Sequence, residues 1–302
     1  MILMNDFKAE PPELREAMLQ ATSRVLESGW YVLGSEVKQF EQQWSRVCGV
    51  SHGIGVANGM DAIEIAILGL SIGEGDEVIT TPMTAFATIL AIIRSGAKPV
   101  LADIDLETAL LSTESVRRCL SPKTKAIVLV HLYGQVRQMD KWVKFCEENK
   151  IILIEDCAQA HLATWQGKVS GSFGQAGAYS FYPTKNLGAV GDAGMLVTSD
   201  STLAKKARRL RNYGQSERYL HPVIGMNSRL DEVQAAMLSE RMNWLTEFTN
   251  RRRQIAGAYH SKLDNPLVKH LIKPEQKSAH VYHLFVITCL KRDALQAHLL
   301  KK

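Results

Sequence analysis

The chain reads as an α/β protein: a doubly wound layer structure in which a mostly parallel sheet is flanked by helices. Three observations predict it. Short apolar runs alternate with stretches of helical periodicity through most of the sequence, the order that strand–helix–strand units impose. Two of those runs, Ala126–His131 and Ile151–Glu155, are apolar at almost every position, as strands covered on both faces are. Between them Met139–Asn149 has the spacing of a crossover helix.

The elements follow in order. An N-terminal helix puts Leu14, Met18 and Val25 on one face and stops at the turn Ser28-Gly29-Trp30. Gly53–Ala57 is a short strand, after which Ile63, Ala66, Ile67 and Leu70 recur at helical spacing. Glu77–Thr81 is strand-like, Phe86–Arg94 is a helix closed by Ser95-Gly96, and Pro99–Ile104 is again a strand. Ala178–Phe181 and Met195–Thr198 are two more strands, flanking a glycine-rich bend. From Arg229 to about Leu263 the spacing predicts one long helix or two joined ones, ended by Asn265-Pro266. His280–Cys289 is expected as a last strand and Asp293–Leu300 as a helix, leaving Val281, Leu284, Phe285 and Ile287 partly uncovered. The domain reading is 1–250 as a large domain and 251–302 as the start of a smaller C-terminal domain that looks truncated.

Composition narrows the class of function. A chain of 302 residues buries enough surface to need neither disulfide nor metal for its core. The net charge of +5 is spread along the sequence, and its densest clusters, Lys205–Arg211 and Arg251–Arg253, fall on helix faces, which argues against nucleic-acid binding. Five scattered cysteines, with no paired ligand spacing, read as free thiols in a reducing compartment, and no metal site is expected. The N-terminal stretch has neither the basic region nor the apolar run of a signal peptide, and no run approaches the ~18 apolar residues of a membrane span. A cytoplasmic protein is expected.

Three segments carry chemistry. Glu155-Asp156 closes the apolar strand IILIED, and ligands of open parallel sheets bind at the carboxyl ends of strands. The pair reads either as loop or cap carboxylates or as a carboxylate beside a pyridine nitrogen, which would keep that ring protonated and electron-withdrawing. In GAYSFYPTKNLGAVGDAGM, Lys185 lies between a strand end and a glycine-rich bend, where an amine can meet a buried aldehyde; alone it would be one more surface lysine. Ser180 offers a hydroxyl to a phosphate, and Gly188, Gly191 and Gly194 permit close backbone approach. In VANGMDAI a strand ends, Asn58-Gly59 turns and a helix begins, presenting first-turn amides that suit a phosphate.

Together these segments resemble the fold-type I pyridoxal-phosphate enzymes, and specifically the DegT/DnrJ/EryC1/StrS family of nucleotide-sugar aminotransferases. The likeness runs through SGWYVLG, VANGMDAI, VHLYGQ, EDCAQAHLA, SFYPTKNLGAVGDAG, MNSRLDEVQAAML and HLFVI, in that order. It implies that pyridoxal 5'-phosphate is the cofactor and that Lys185 carries it as an internal aldimine and moves the proton. It implies that Asp156 pairs with the pyridine nitrogen and Gln159 with the phenolic oxygen. Ser180 and the backbone of Gly59, Met60 and Asp61 match the phosphate cradle. Asn227 matches a residue reaching the neighbouring protomer's phosphate in a homodimer with shared active sites, with Arg229 beside it. His131, Tyr133, Tyr213, Arg229 and His283 match positions on the substrate side, although a His or Tyr at a strand end is as often simply packed. Lysine at 185 implies transamination, since a dehydrating branch has histidine there.

Three departures stand out. Met60 replaces the family's frequent threonine, so one hydroxyl for the phosphate is lost. Ala85 stands where an aromatic commonly stacks on the ring, and Phe86, the next residue and the remaining stacking candidate, points the other way along an extended chain. Family members also continue past the position where this chain ends, into the rest of the small domain and a histidine-containing substrate loop. The implied reaction moves an amino group from L-glutamate to a nucleotide-linked keto-deoxysugar. A dTDP-3-keto-6-deoxyhexose fits best and a 4-keto sugar is the rival; a truncated cofactor-binding dimer without turnover is the other reading.

Overall fold

The computed structural model describes residues 5–301. Helix α1 (Pro12–Ser28) starts on prolines and stops at Gly29, whose left-handed φ of 64° ends the helix. After it come α2 (Ser35–Cys48), β1 (His52–Val56), α3 (Gly59–Gly69), β2 (Glu77–Thr80), α4 (Phe86–Arg94) and β3 (Lys98–Leu101). α5 (Thr113–Cys119), β4 (Thr124–Val130), α6 (Met139–Asn149) and β5 (Ile152–Asp156) follow. A small hairpin of β6 (Thr164–Trp165) and β7 (Lys168–Val169) leads to β8 (Ala176–Ser180) and β9 (Gly194–Thr198). Then come α7 (Ser201–Leu210), α8 (Glu232–Lys262), β10 (Lys269–His270), β11 (Ile287–Thr288) and α9 (Arg292–Leu300).

Seven strands make one sheet in the order β1-β9-β8-β5-β4-β2-β3. Strands β8, β5, β4, β2 and β3 are mutually parallel, and β9 alone runs against its neighbours, β1 and β8. Alternation along β4 explains why its sequence is apolar throughout. Ala126 and Val128 pack with Ile63, Ile67 and Ile92 of α3 and α4, while Ile127 and Leu129 meet Met139, Trp142 and Phe145 of α6 on the opposite face. Each large aliphatic or aromatic side chain buried this way is worth on the order of 1.5–3 kcal/mol. A third cluster seats Phe40 and Trp44 of α2, with Leu238 and Leu245 of α8, on Tyr179 and Val197 of the sheet. Parallel register aligns the strand ends that matter, with Val130 opposite Asp156 and Asp156 opposite Ala178.

The structure departs from the sequence reading at several places. The expected strand His280–Cys289 is a strand only at Ile287–Thr288, paired with Lys269–His270. Its first part is a strap whose carbonyls at His280, Tyr282 and His283 accept from Arg253 and Arg252 of α8, so they are not free to pair in a sheet. Val281, expected to be partly uncovered, is fully buried. β3 ends at Leu101, because Ile104 turns back to bridge Leu111. The long helix is a single one, beginning at Glu232 because Asp231 is still extended and bridged to Val32. It passes unbroken through position 250, where the sequence reading divides the domains. Among the described residues no helix is long and apolar enough to cross a membrane.

Candidate active site

Period-two alternation sends the two carboxylates at the end of β5 to opposite sides. Glu155 is wholly buried and accepts from the amides of Gly171, Phe173 and Gly174 at 2.8, 2.8 and 2.9 Å, and pairs with His131 Nε2 at 2.8 Å. His131 is thus packed and hydrogen-bonded at the end of β4. His131, Glu155 and Cys157 place three metal-capable atoms within 4.8 Å of one another. The Glu155 oxygens are already occupied by amides, and burial drives the Cys157 thiol well above its ordinary value, so this group is a protein-internal pin. Asp156, 6 % exposed, has fewer partners: Oδ2 accepts from Thr88 Oγ1 at 2.8 Å and Oδ1 from the Ala158 amide at 3.1 Å. Thr88 Oγ1 in turn lies 2.8 Å from Thr84 Oγ1. Sequence reasoning missed Thr88, whose partner lies 68 residues away.

Lys185 stands five residues beyond β8, in a turn where its amide donates to Tyr182 O at 2.8 Å. Burial lowers its amine below the usual lysine value, and Asp156 nearby works against that shift. The following bend folds back tightly. A Cβ on Gly188 would meet Pro183 O at 2.3 Å, so no other residue fits there without moving backbone. Val190 is held through both its amide and its carbonyl by Gln234 of α8, each at 2.9 Å. Nothing in the local sequence signals Gln234, because its role depends on a long-range approach.

The residues expected to cradle a phosphate meet where α3 starts. Asn58 caps the helix, its Oδ1 accepting from the Asp61 amide at 2.9 Å. Asp61 N–H is thus committed, and of the three expected backbone donors those of Gly59 and Met60 remain, with no intrahelical partner by helix geometry. Gly59 lies so close to Ser180 that an added Cβ would sit 2.7 Å from Ser180 Cβ. The helix terminus and the Ser180 hydroxyl, which accepts weakly from the Tyr182 amide at 3.3 Å, therefore form one small polar recess. The lost threonine hydroxyl at Met60 leaves the amide donors untouched.

The other expected residues divide. Gln159 Oε1 accepts from the Tyr133 amide at 2.6 Å, which turns its NH2 end outward as a donor, the polarity a phenolate oxygen needs. Tyr133 and Tyr213 both hold left-handed φ angles, 61° and 57°, uncommon for aromatic residues. Tyr213 is 47 % exposed, and the Arg229 guanidinium lies 5.2 Å from its ring centre while donating to Asn212 at 2.9 Å. Asn227 is exposed and bridged to Asn212. His283 approaches Lys185 from the strap; burial, then the charges of Lys185 and Arg252, push its imidazole down to about 3. Phe86 is 66 % exposed. It lies two residues from Thr88, a rotation of about 200° on a helix, so it does not share the face that meets Asp156.

A half-buried lysine with a lowered amine, a carboxylate at the neighbouring strand end and a helix terminus against a serine give this α/β fold the polar groups of a candidate active site. Comparison with known proteins gives that fold its family. The model of the "DegT/DnrJ/EryC1/StrS aminotransferase family" matches residues 12–302. A "Pleiotropic regulatory protein" of Geobacillus stearothermophilus is 42 % identical over 98 % of this chain and 80 % of its own. The "dTDP-3-amino-3,6-dideoxy-alpha-D-galactopyranose transaminase" of Aneurinibacillus thermoaerophilus is 44 % identical over 99 % of this chain and 82 % of its own. Among solved structures, S. venezuelae DesV superposes with a TM-score of 0.94 at 40 % identity, covering 98 % of this chain and 80 % of that one. The chain belongs to the DegT/DnrJ/EryC1/StrS aminotransferase family and is an aminotransferase.

Proposed function

We propose that the protein uses pyridoxal 5'-phosphate to move an amino group from L-glutamate to a keto-deoxysugar nucleotide. The acceptor proposed is a dTDP-3-keto-6-deoxyhexose, and the setting is cytoplasmic amino-sugar synthesis for a surface polysaccharide or a glycosylated natural product. One observation carries the reading: Lys185, Asp156 and the Gly59–Ser180 recess converge at the carboxyl ends of β5 and β8, each with a polarity that suits one part of the cofactor. When bound, the cofactor supplies the electron sink that makes a proton on the substrate carbon removable.

The residues divide the remaining work. Lys185 Nζ, partly desolvated, is the attachment point and afterwards takes and returns the proton. Asp156, braced by Thr88, holds a positive charge at the ring nitrogen. Gly59 and Met60 amides with Ser180 hold the phosphate, and the outward NH2 of Gln159 meets the phenolic oxygen. Tyr213 and Arg229, with Tyr133 and His283, bound the substrate side. Asn227, exposed beside them, serves the neighbouring subunit of a homodimer; exposed apolar side chains such as Trp30, Tyr219 and Ile224 are consistent with such an interface. The naming of the Aneurinibacillus relative as a 3-amino-sugar transaminase favours the 3-keto acceptor over a 4-keto one.

Borohydride reduction of the protein incubated with pyridoxal 5'-phosphate, followed by peptide mapping, is expected to place the adduct on Lys185. Lys185→Ala should keep some cofactor without covalent attachment and lose turnover. An adduct on a different lysine overturns the assignment. With glutamate and a panel of keto-sugar nucleotides, preference for a 4-keto acceptor would move the substrate proposal to the rival sugar.

A further inference from the structure

Lys185 is followed directly by Asn186, a buried residue whose side chain is used at both ends. Its Nδ2 donates to the carbonyl of Val281 at 3.1 Å, and its Oδ1 lies 3.2 Å from Nδ1 of His283. The first contact orients the amide. A carbonyl only accepts, so the NH2 end faces Val281 and the oxygen end faces His283. An amide oxygen has no hydrogen to give, so the hydrogen between them belongs to His283 Nδ1. Nε2 is then left with a lone pair.

The strap that carries His283 is fixed independently. The Val281 amide donates to Gly134 O at 2.9 Å, and Arg252 Nη1 donates to the carbonyls of Tyr282 and His283 at 3.3 and 3.2 Å. Arg253 Nε holds His280 O at 3.0 Å. The ionisable groups around His283 and Lys185 are Arg252, His161 and Asp156. His161, like His283, is pushed down to about 3, so neither imidazole carries charge at ordinary pH. Asp156 is the acidic group that faces the amine.

We propose that Asn186 and His283 are positioning residues for Lys185: Asn186, the next residue in the chain, accepts the Nδ1 hydrogen of His283 and ties it to the strap, so the imidazole near the amine keeps its lone pair at Nε2. An imidazole near the amine that offers a lone pair, and not a second N–H, leaves Lys185 Nζ able to take up a proton and return it. The inference rests on the reading of Lys185 as the reactive amine, and it is tested on a different observable.

Imidazole nitrogens of the full chain, labelled with nitrogen-15 histidine and assigned with His283→Asn, report the tautomer directly. His283 is expected to carry its hydrogen at Nδ1 only, and to remain neutral from about pH 8 to about pH 5, with and without cofactor. In Asn186→Ala an Nε2–H population should appear. The rate at which a small acylating reagent modifies Lys185 in the cofactor-free chain should fall about fivefold at constant pH, the scale of one hydrogen bond turned from acceptor to donor. An Nε2–H tautomer in the unaltered protein overturns the proposal, as does unchanged Lys185 reactivity in Asn186→Ala. Should that variant not fold, the Lys185 pH profile of His283→Asn serves instead, and a profile identical to that of the unaltered protein is again a refutation. A reduced adduct on some other lysine would sink the functional reading while leaving the tautomer result standing.

Discussion

His161 sits among Trp44, Tyr179 and Phe181, ring centres 5.4–5.7 Å away, with neither ring nitrogen hydrogen-bonded; the Ser180 backbone nearby lies outside bonding geometry. Burial holds its imidazole neutral down to about 3, against an ordinary 6.5. Between those values the unfolded chain binds a proton that the native chain refuses. Stability from this residue is complete above about pH 6.5 and falls by roughly 1 kcal/mol per pH unit below it. His161→Phe, which fills the same apolar box, should therefore raise the melting temperature clearly at about pH 5 and little at about pH 7.5. Equal shifts at the two pH values would show that His161 does not titrate on unfolding. At this scale the sequence was informative wherever position along the chain determines chemistry. Asp156 closes an apolar strand and Lys185 precedes a glycine bend, both visible as local patterns. Thr88, Asn186 and Gln234 were invisible, because each acts through a partner brought near only by folding.

At the level of elements, α2 begins at Gly34, which has no side chain to cap it, and the cap comes from another helix. Glu232 in the first turn of α8 accepts from the amides of Gly34, Glu36 and Val37 at 2.8, 2.9 and 3.0 Å. Removing it strands three donors, that of Val37 buried and those of Gly34 and Glu36 partly so. Glu232→Ala should cost about 2 kcal/mol in denaturant unfolding, and Glu232→Gln less, because one oxygen remains. A loss within error for the alanine variant would mean that water caps α2 equally well. The central strands were legible because burial on both faces writes an unbroken apolar run, as in β4 and β5. The β6–β7 hairpin was not, since two-residue strands around Gln166-Gly167 are too short to show a period. The strap at His280 misled for a different reason. Its apolar content looks like a strand, but Arg252 and Arg253 take its carbonyls from a helix nearly thirty residues upstream.

For the whole molecule, the proposed homodimer makes a sharp demand. Lys185→Ala and Asn227→Ala protomers, each inactive alone, should together regain about a quarter of normal activity, from one intact site in every heterodimer, heterodimers being about half of all dimers after exchange. No recovery after confirmed subunit exchange would assign Asn227 to its own subunit's site. Within one subunit, α8 has a mechanical meaning. Near its start Gln234 grips Val190; about 27 Å further along the same rod, Arg252 grips the strap that ends on Asn186. The loop bearing Lys185 is thus tied at two points to a single stiff beam, closing a triangle of helix, strap and loop. A triangle resists shear where a lone loop would sag. The amine can swing on its own side-chain torsions while its anchor stays put, and a bend introduced midway along α8, far from any substrate, would be felt at the lysine as a change of aim.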